Sequence, residues 1–205
     1  MPTSKRQRRP ELRPDEIADA AFGVFAKRGF AAARMDDIAA AAGVSKGTLY
    51  LYFPGKEALF EAAVSRLIGP RIELIRQTAT NFGGSTADLI RQLGQLMAEQ
   101  AQRPEMGVLI RLLISEAQSF PALTEIYHRQ VIAPGMAMLR ALILHGVETG
   151  EFRETALPDL PQWLMAPFVT SVIWRILFER LQPLDVERLI AMHIDFTLEA
   201  LRVRT

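Results

Sequence analysis

The sequence predicts an all-α protein: a small three-helix head joined through a shared fourth helix to a larger helical bundle, about nine helices in all. Three observations predict it. Apolar residues recur at intervals of three and four, without the sustained alternation that a half-buried strand requires. Helix-ending residues at Gly29, Gly43, Pro54-Gly55, Gly83-Gly84, Pro104, Pro121, Gly150 and Pro183 cut the chain into segments of helical length. No longer period repeats, which disfavours a solenoid.

The elements follow in order. Residues 1–13 read as a flexible basic arm. A first helix is expected over about 14–28, with Pro14 at its first position and Asp15, Glu16 and Asp19 near its positive end. Its inner stripe is Ile17, Ala20, Ala21, Val24 and Phe25, and Gly29 stops it after Lys27-Arg28. A second, over about 35–42, carries Asp36 and Asp37 in its first turn and ends at Gly43. A third starts after Ser45, a good N-cap, and stops at Pro54-Gly55. A fourth runs from about Lys56 towards Thr80. The rest is expected at about 86–102, 105–118, 121–149, 159–181 and 184–203, with Pro134-Gly135 and Pro167 interrupting the last but two and the last but one. The expected domains are the head at 14–60 and the bundle at 61–205.

Composition excludes several classes. A chain of 205 residues, 49% hydrophobic and 23% charged, can bury roughly 70% of its unfolded surface without staples. It has no Cys, which excludes a disulfide scaffold, a Cys-ligated zinc site and a thiol nucleophile. That fits a reducing cytosol, and a cytoplasmic location is expected. No apolar run reaches ~18 residues without polar breaks, so no membrane-spanning helix is expected. The basic start has no apolar stretch behind it and does not read as a secretory signal. His128, His145 and His193 lie far apart, with no paired metal spacing, so neither a metal nor a cofactor is expected. No nucleophile elbow, carboxylate pair or dinucleotide glycine pattern points to an enzyme.

The net charge of +1 hides an asymmetry. Residues 1–60 hold ten Lys and Arg against seven acids, and all four Lys of the chain lie among them. A basic front on an acidic body points to a polyanion at the N-terminal end. The densest signal lies there too. Two short helices joined through Gly43 make a helix-turn-helix. On a helical wheel Leu49 and Phe53 fall on one inward stripe, whereas Gly47, Thr48, Tyr50 and Leu51 face away. Gly weakens a helix by ~1 kcal/mol, so that outward set suits a surface pressed against DNA better than one facing water. Gly47 allows close approach, Thr48 offers hydroxyl and methyl to base edges, and Lys46 can reach a guanine or a phosphate. Tyr50 and Tyr52 can hydrogen-bond phosphates, and Lys56 opens helix 4, whose amide dipoles favour the same anion. The four alanines at 39–42 let the two short helices pack closely.

The run Ala42-Gly43-Val44-Ser45-x-Gly47-Thr48-Leu49-Tyr50-x-Tyr52-Phe53-x-x-Lys56-Glu57-x-Leu59 resembles the DNA-binding domain of the TetR family of bacterial transcriptional regulators. The resemblance extends over about residues 14–60. It implies DNA contacts at Ser45, Lys46, Gly47, Thr48, Tyr50, Tyr52 and Lys56. At the position before helix 2, where the family usually has Ser or Thr, this chain has Arg34; its fork can grip phosphate but cannot cap an amide. The arm Lys5-Arg6-Gln7-Arg8-Arg9 could enter a minor groove beside the head.

The bundle is read mainly from its residues. From Trp163 to Phe178 only Thr170, Ser171 and Arg175 are polar, and the last helix is also broadly apolar. One protomer of this size covers both with difficulty, so a twofold homodimer through the last two helices, eight and nine of the expected count, is predicted. Twofold symmetry implies a near-palindromic double-stranded operator. The resemblance further implies a small-molecule effector held in the bundle and, most simply, repression relieved by it. Candidate lining residues are Leu67, Met97, Leu113, Tyr127, Phe168, Val172 and Arg175; Arg175, on an apolar helix, needs an acid, an anionic ligand or solvent. Two alternatives stand beside this reading: a bundle enzyme or carrier without operator binding, and a constitutive DNA-binding protein without an effector.

Overall fold

The chain turns twice near its start because two glycines take positive φ. Gly29, at φ 77° and ψ 165°, breaks α1 (Arg13–Ala32) where the sequence predicts a stop, and one more turn then carries it to Ala32. Gly43, at φ 64° and ψ 33°, ends α2 (Met35–Ala42) in the left-handed region that suits glycine. The computed structural model describes residues 13–203, so residues 1–12 of the expected arm, including Lys5, Arg6, Arg8 and Arg9, lie outside the described residues, while Arg13 opens α1 rather than ending the arm. After α2 come α3 (Lys46–Tyr52) and the long α4 (Lys56–Asn81). The bundle is α5 (Thr86–Ala101), α6 (Pro104–Glu116), α7 (Pro121–Tyr127), α8 (Ala133–Glu148), α9 (Gln162–Phe178) and α10 (Val186–Leu201). Among the described residues the fold is helical throughout, with one isolated bridge between Phe152 and Arg202.

The head closes on an aromatic centre. Phe25, Phe30 and Phe60 are fully buried, and their rings sit 5.2 to 6.3 Å apart in tilted and edge-on pairs. Ile17, Ile38, Leu49 and Leu59 complete that core. Arg28 ties α1 to Asp37 of α2 at 2.6 Å, and Arg66 of α4 reaches back to Asp15 and Asp19 of α1. The first half of α4 is bound to the head by Leu59, Phe60, Ala63 and Val64. Pro70 then stands inside α4 and withholds one amide from its ladder.

In the bundle α5 lies close along α10 because Gly94 has no side chain; a Cβ there would run into Ile194. The N-terminus of α5 is doubly capped. The Ser85 hydroxyl accepts from the Asp88 amide, and the distant Glu151 carboxylate accepts from the Thr86 and Ala87 amides at 2.7 and 2.8 Å.

Both proline interruptions differ from expectation. Pro134 does not break its helix; it lies in the first turn of α8, and the irregularity precedes it as a π-helical turn, His128–Ile132. A proline ring clashes with the carbonyl four residues back, and a widened turn at that point relieves the clash. Pro167 does not interrupt α9, which runs unbroken past it. The rod Pro121–Glu148, 28 residues with its π turn, is long and apolar enough by length and composition to cross a membrane, contrary to the expectation of no such helix. It buries Leu123, Ile126, Leu139 and Ile143 against the rest of the chain and turns Arg129 and Arg140 outward.

Candidate nucleic-acid interface and effector domain

The Gly43 turn sets the angle at which α3 leaves α2. The Gly43 and Val44 amides return to the Ala40 and Ala39 carbonyls. Ser45 then caps α3, its hydroxyl accepting from the Thr48 amide at 3.1 Å and lying 2.8 Å from the Thr48 hydroxyl. Leu49 is fully buried and Phe53 nearly so, and this anchors the inner side of a helix only seven residues long. The opposite side is left to solvent: Tyr50 is 46% exposed and Leu51 78%. Lys46 and Gly47 are exposed beside them, while Thr48 and Tyr52 are half-buried. Water alone gives no reason to display Tyr and Leu next to a glycine on so short a helix; a partner surface does.

Two charged residues around this ridge, Lys46 and Lys56, have partners within the chain. Lys46 Nζ stands 2.9 Å from Asp36 of α2, and that carboxylate holds the ammonium above its ordinary pKa. Arg34 occupies the N-cap position of α2 in extended backbone, is exposed, and makes no capping bond. Lys56 is placed differently. Its ammonium donates to the Phe30 and Ala31 carbonyls at 2.7 and 3.2 Å and lies 4.7 Å above the Phe30 ring. The ridge therefore brings together Ser45, Lys46, Gly47, Thr48, Tyr50 and Tyr52, with Arg34 at the start of the neighbouring helix, while Lys56 is engaged with the end of α1. Residue order marks Arg28 only as the end of α1 and Asp36 and Asp37 only as the first turn of α2; that these acids pair with Lys46 and Arg28 is seen in the structure alone.

Of the residues proposed to line an effector pocket, Leu113, Phe168 and Val172 are buried in the main core, with Leu67, Met97 and Tyr127 half-buried against it. Burial pushes the Tyr127 phenol up to about 12. Arg175 donates to the Ala101 carbonyl at 2.9 Å, at the C-terminal end of α5, and stands 3.7 Å from Glu179. None of these borders either of two surface grooves. One groove, of about 320 Å³, runs between the end of α4, the start of α5 and α8, past Phe82, Leu89, Met138 and the exposed His145. The other, of about 450 Å³, lies between the 153–157 segment and the α9 and α10 helices, past Trp163 and Phe196. Inside the bundle the Gln100 and Gln130 side-chain oxygens are buried without a partner.

The last two long helices present an apolar face. Trp163, Val169, Ile173, Leu177 and Phe178 of α9 are between 37% and 60% exposed, and Phe196 of α10 is 71% exposed. Scattered apolar residues on a surface are ordinary, but this many large ones on two neighbouring helices are not.

Comparison with known proteins agrees with this architecture. Residues 17–63 match the family model described as bacterial regulatory proteins, tetR family. Residues 82–192, more than half of the chain, match the tetracyclin repressor-like C-terminal domain. Among curated proteins, the HTH-type transcriptional regulator RutR of Escherichia coli is 27% identical over 190 residues, 93% of this chain and 74% of that protein. YdeS of Bacillus subtilis, an uncharacterized HTH-type transcriptional regulator, is 29% identical over 152 residues, 74% of this chain and 73% of that one. Among solved structures, a tetR-family regulator from Mesorhizobium loti superposes with a TM-score of 0.75 at 21% identity, covering 96% of this chain and all of that one. The regulator FadR of Bacillus subtilis, solved with stearoyl-CoA, superposes at 0.74 with 19% identity over 92% and 99% of the two chains. A helix-turn-helix with an outward ridge, a helical body behind it and both family models in sequence place this chain in the TetR family of bacterial transcriptional regulators.

Proposed function

We propose that the chain acts in the cytoplasm as a homodimeric repressor that holds a near-palindromic operator and releases it when a small molecule binds the bundle. In this reading residues 14–60 read DNA, the arm before them adds phosphate attraction, and residues 61–205 bind the effector and form the dimer. The observation that carries it is the α3 ridge, with Leu49 locked inside and Tyr50 and Leu51 left uncovered. Twofold pairing through α9 and α10 would cover their apolar face and set two such ridges about one turn of DNA apart, roughly 34–36 Å. The stearoyl-CoA held by the FadR neighbour supports an effector role for that domain. Regulation rather than catalysis is favoured by the two regulator family models, which match residues 17–63 and 82–192.

The test is selection of bound duplexes from a random pool, followed by affinity measurements against salt. A palindromic consensus is expected. Tyr50→Phe should weaken binding, and Lys46→Ala should flatten the dependence of log K on log salt by about one phosphate contact. Recovery of no consensus, or unchanged affinity and slope in both variants, would reject the reading. Screening metabolites for release of the selected duplex then tests the effector.

A further inference from the structure

Two positions one turn apart on α3, Gly47 and Leu51, are exposed and carry no polar side-chain group. Their neighbours on the ridge are polar. Lys46 pairs with Asp36, the Thr48 hydroxyl lies 2.8 Å from that of Ser45, and Tyr50 ends in a phenol. Leu51 is the more exposed of the two large side chains on the outer side, and among the large hydrophobic residues described only Leu181 is more exposed. One leucine in water is ordinary. Its position beside this particular glycine is not.

The fold does not require Gly47. The glycines with positive φ are Gly29, Gly43 and Gly150. A Cβ on Gly94 or Gly146 would collide with Ile194 or Phe152, whereas a Cβ on Gly47 would meet only the Ser45 hydroxyl oxygen, at 3.9 Å. Alanine therefore fits at 47, and a helix prefers it to glycine. What glycine leaves there is a notch open to the outside, in which a partner atom can come close to the backbone. A long helical side chain leans back over the turn before it, so Leu51 forms a wall of that notch. A glycine floor and a leucine wall offer nothing to a charge or to a hydrogen-bonding group.

A duplex presents little that suits such a notch. Its phosphates are anionic, and the base edges in the major groove donate and accept hydrogen bonds. The apolar group among them is the C5-methyl of thymine. We infer that Leu51 is a specificity-determining residue, which together with the Gly47 notch reads one pyrimidine C5-methyl, that of a thymine, in each half-site. This rests on the DNA-binding reading above. The phosphate contacts set the register of the head, and Leu51 selects the base pair beneath it.

The test removes the methyl and nothing else. In the duplex selected by the unaltered protein, each conserved thymine is replaced in turn by deoxyuridine. One thymine per half-site should show a loss of about three- to fourfold, the worth of one buried methyl, with the salt slope unchanged. Exchanging that pair for C·G should weaken binding further, and C5-methylation of the new cytosine should recover the methyl's share. Leu51→Ala should bind the thymine duplex less well and should reduce the thymine-to-uracil difference at that position to under about twofold. Gly47→Ala should melt at a higher temperature than the parent yet bind the thymine duplex less well, because its methyl fills the notch. That opposition of stability and affinity separates a contact from a folding defect. A consensus with no methyl-sensitive thymine, a uracil effect that Leu51→Ala leaves in full, or parental affinity in Gly47→Ala would overturn the inference while leaving operator binding intact. A parent that selects no consensus would overturn both.

Discussion

His193 of α10 donates from Nε2 to the carbonyl of Trp163 in α9, at 2.9 Å. That carbonyl is the one Pro167, four residues on, leaves without an amide donor. A side chain 30 residues away therefore satisfies the carbonyl that the proline leaves open. The repair is part of a closed set: the Trp163 indole donates to the Thr197 hydroxyl, which donates to the His193 carbonyl, and the Trp163 and His193 rings lie 4.9 Å apart. Replacing His193 with Ala should destabilise the fold by about 1–2 kcal/mol in denaturant titrations. In a Pro167→Ala background the restored amide can serve Trp163 itself, so the same replacement should cost less. Equal costs in the two backgrounds would show that His193 does not serve that carbonyl.

Glu151 gives the fold an acid limit. Burial alone would raise its pKa, but the Ala87 and Thr86 amides that donate to it, with Ser85 and Thr86 side chains beside them, outweigh that and leave it lowered from 4.5. A lowered folded value means the cap contributes fully above the ordinary glutamate range and fades as pH falls through the folded value. Glu151→Gln should cost about 1 kcal/mol at neutral pH and nothing extra once the wild-type carboxylate is protonated. Stability curves for the two proteins should therefore converge in acid; parallel curves down to the lowest pH would contradict the assignment.

Gly146 tests packing against propensity. Exchanging a helical Gly for Ala usually stabilises by up to ~1 kcal/mol. Here a Cβ would press on the ring of Phe152, which is buried. Gly146→Ala should destabilise by about 1–3 kcal/mol in thermal or denaturant melts. A gain in stability would mean that Phe152 has room to move.

Assembly should depend on the apolar face of α9 and α10. Ile173→Asp and Phe196→Asp each place a charge on it without touching the buried side of either helix. Light scattering should report a dimer for the parent and a monomer for the double variant, with helicity retained. A parent that is monomeric at every concentration would exclude this face as the seat of pairing.

The parts of this fold that were legible in the sequence are those governed by neighbours along the chain. Gly29, Gly43 and Ser45 act within one turn of themselves, so the helix-turn-helix could be drawn from residue order alone. The two prolines show where such reasoning stops. Residue order shows that Pro134 and Pro167 cannot donate, but not that a widened turn absorbs one and His193 the other. Lys56 falls at a family contact position, yet it donates its hydrogen bonds to carbonyls 25 and 26 residues earlier in the chain. The pocket candidates share a limit of another kind. Periodicity indicates which side chains point inward, and Leu113, Phe168 and Val172 do, but it does not indicate whether the space between them is filled.

The pairing of Lys46 with Asp36 has a consequence for search. An ammonium that already has a carboxylate within the same head gains little from a passing phosphate, because one anion merely replaces another. The pair is exposed on both sides, so it should blunt indiscriminate sticking along a genome only slightly. Only a site that satisfies the rest of the ridge at the same moment repays the exchange, so a residue that never reads a base can still sharpen the choice between right and wrong sequence.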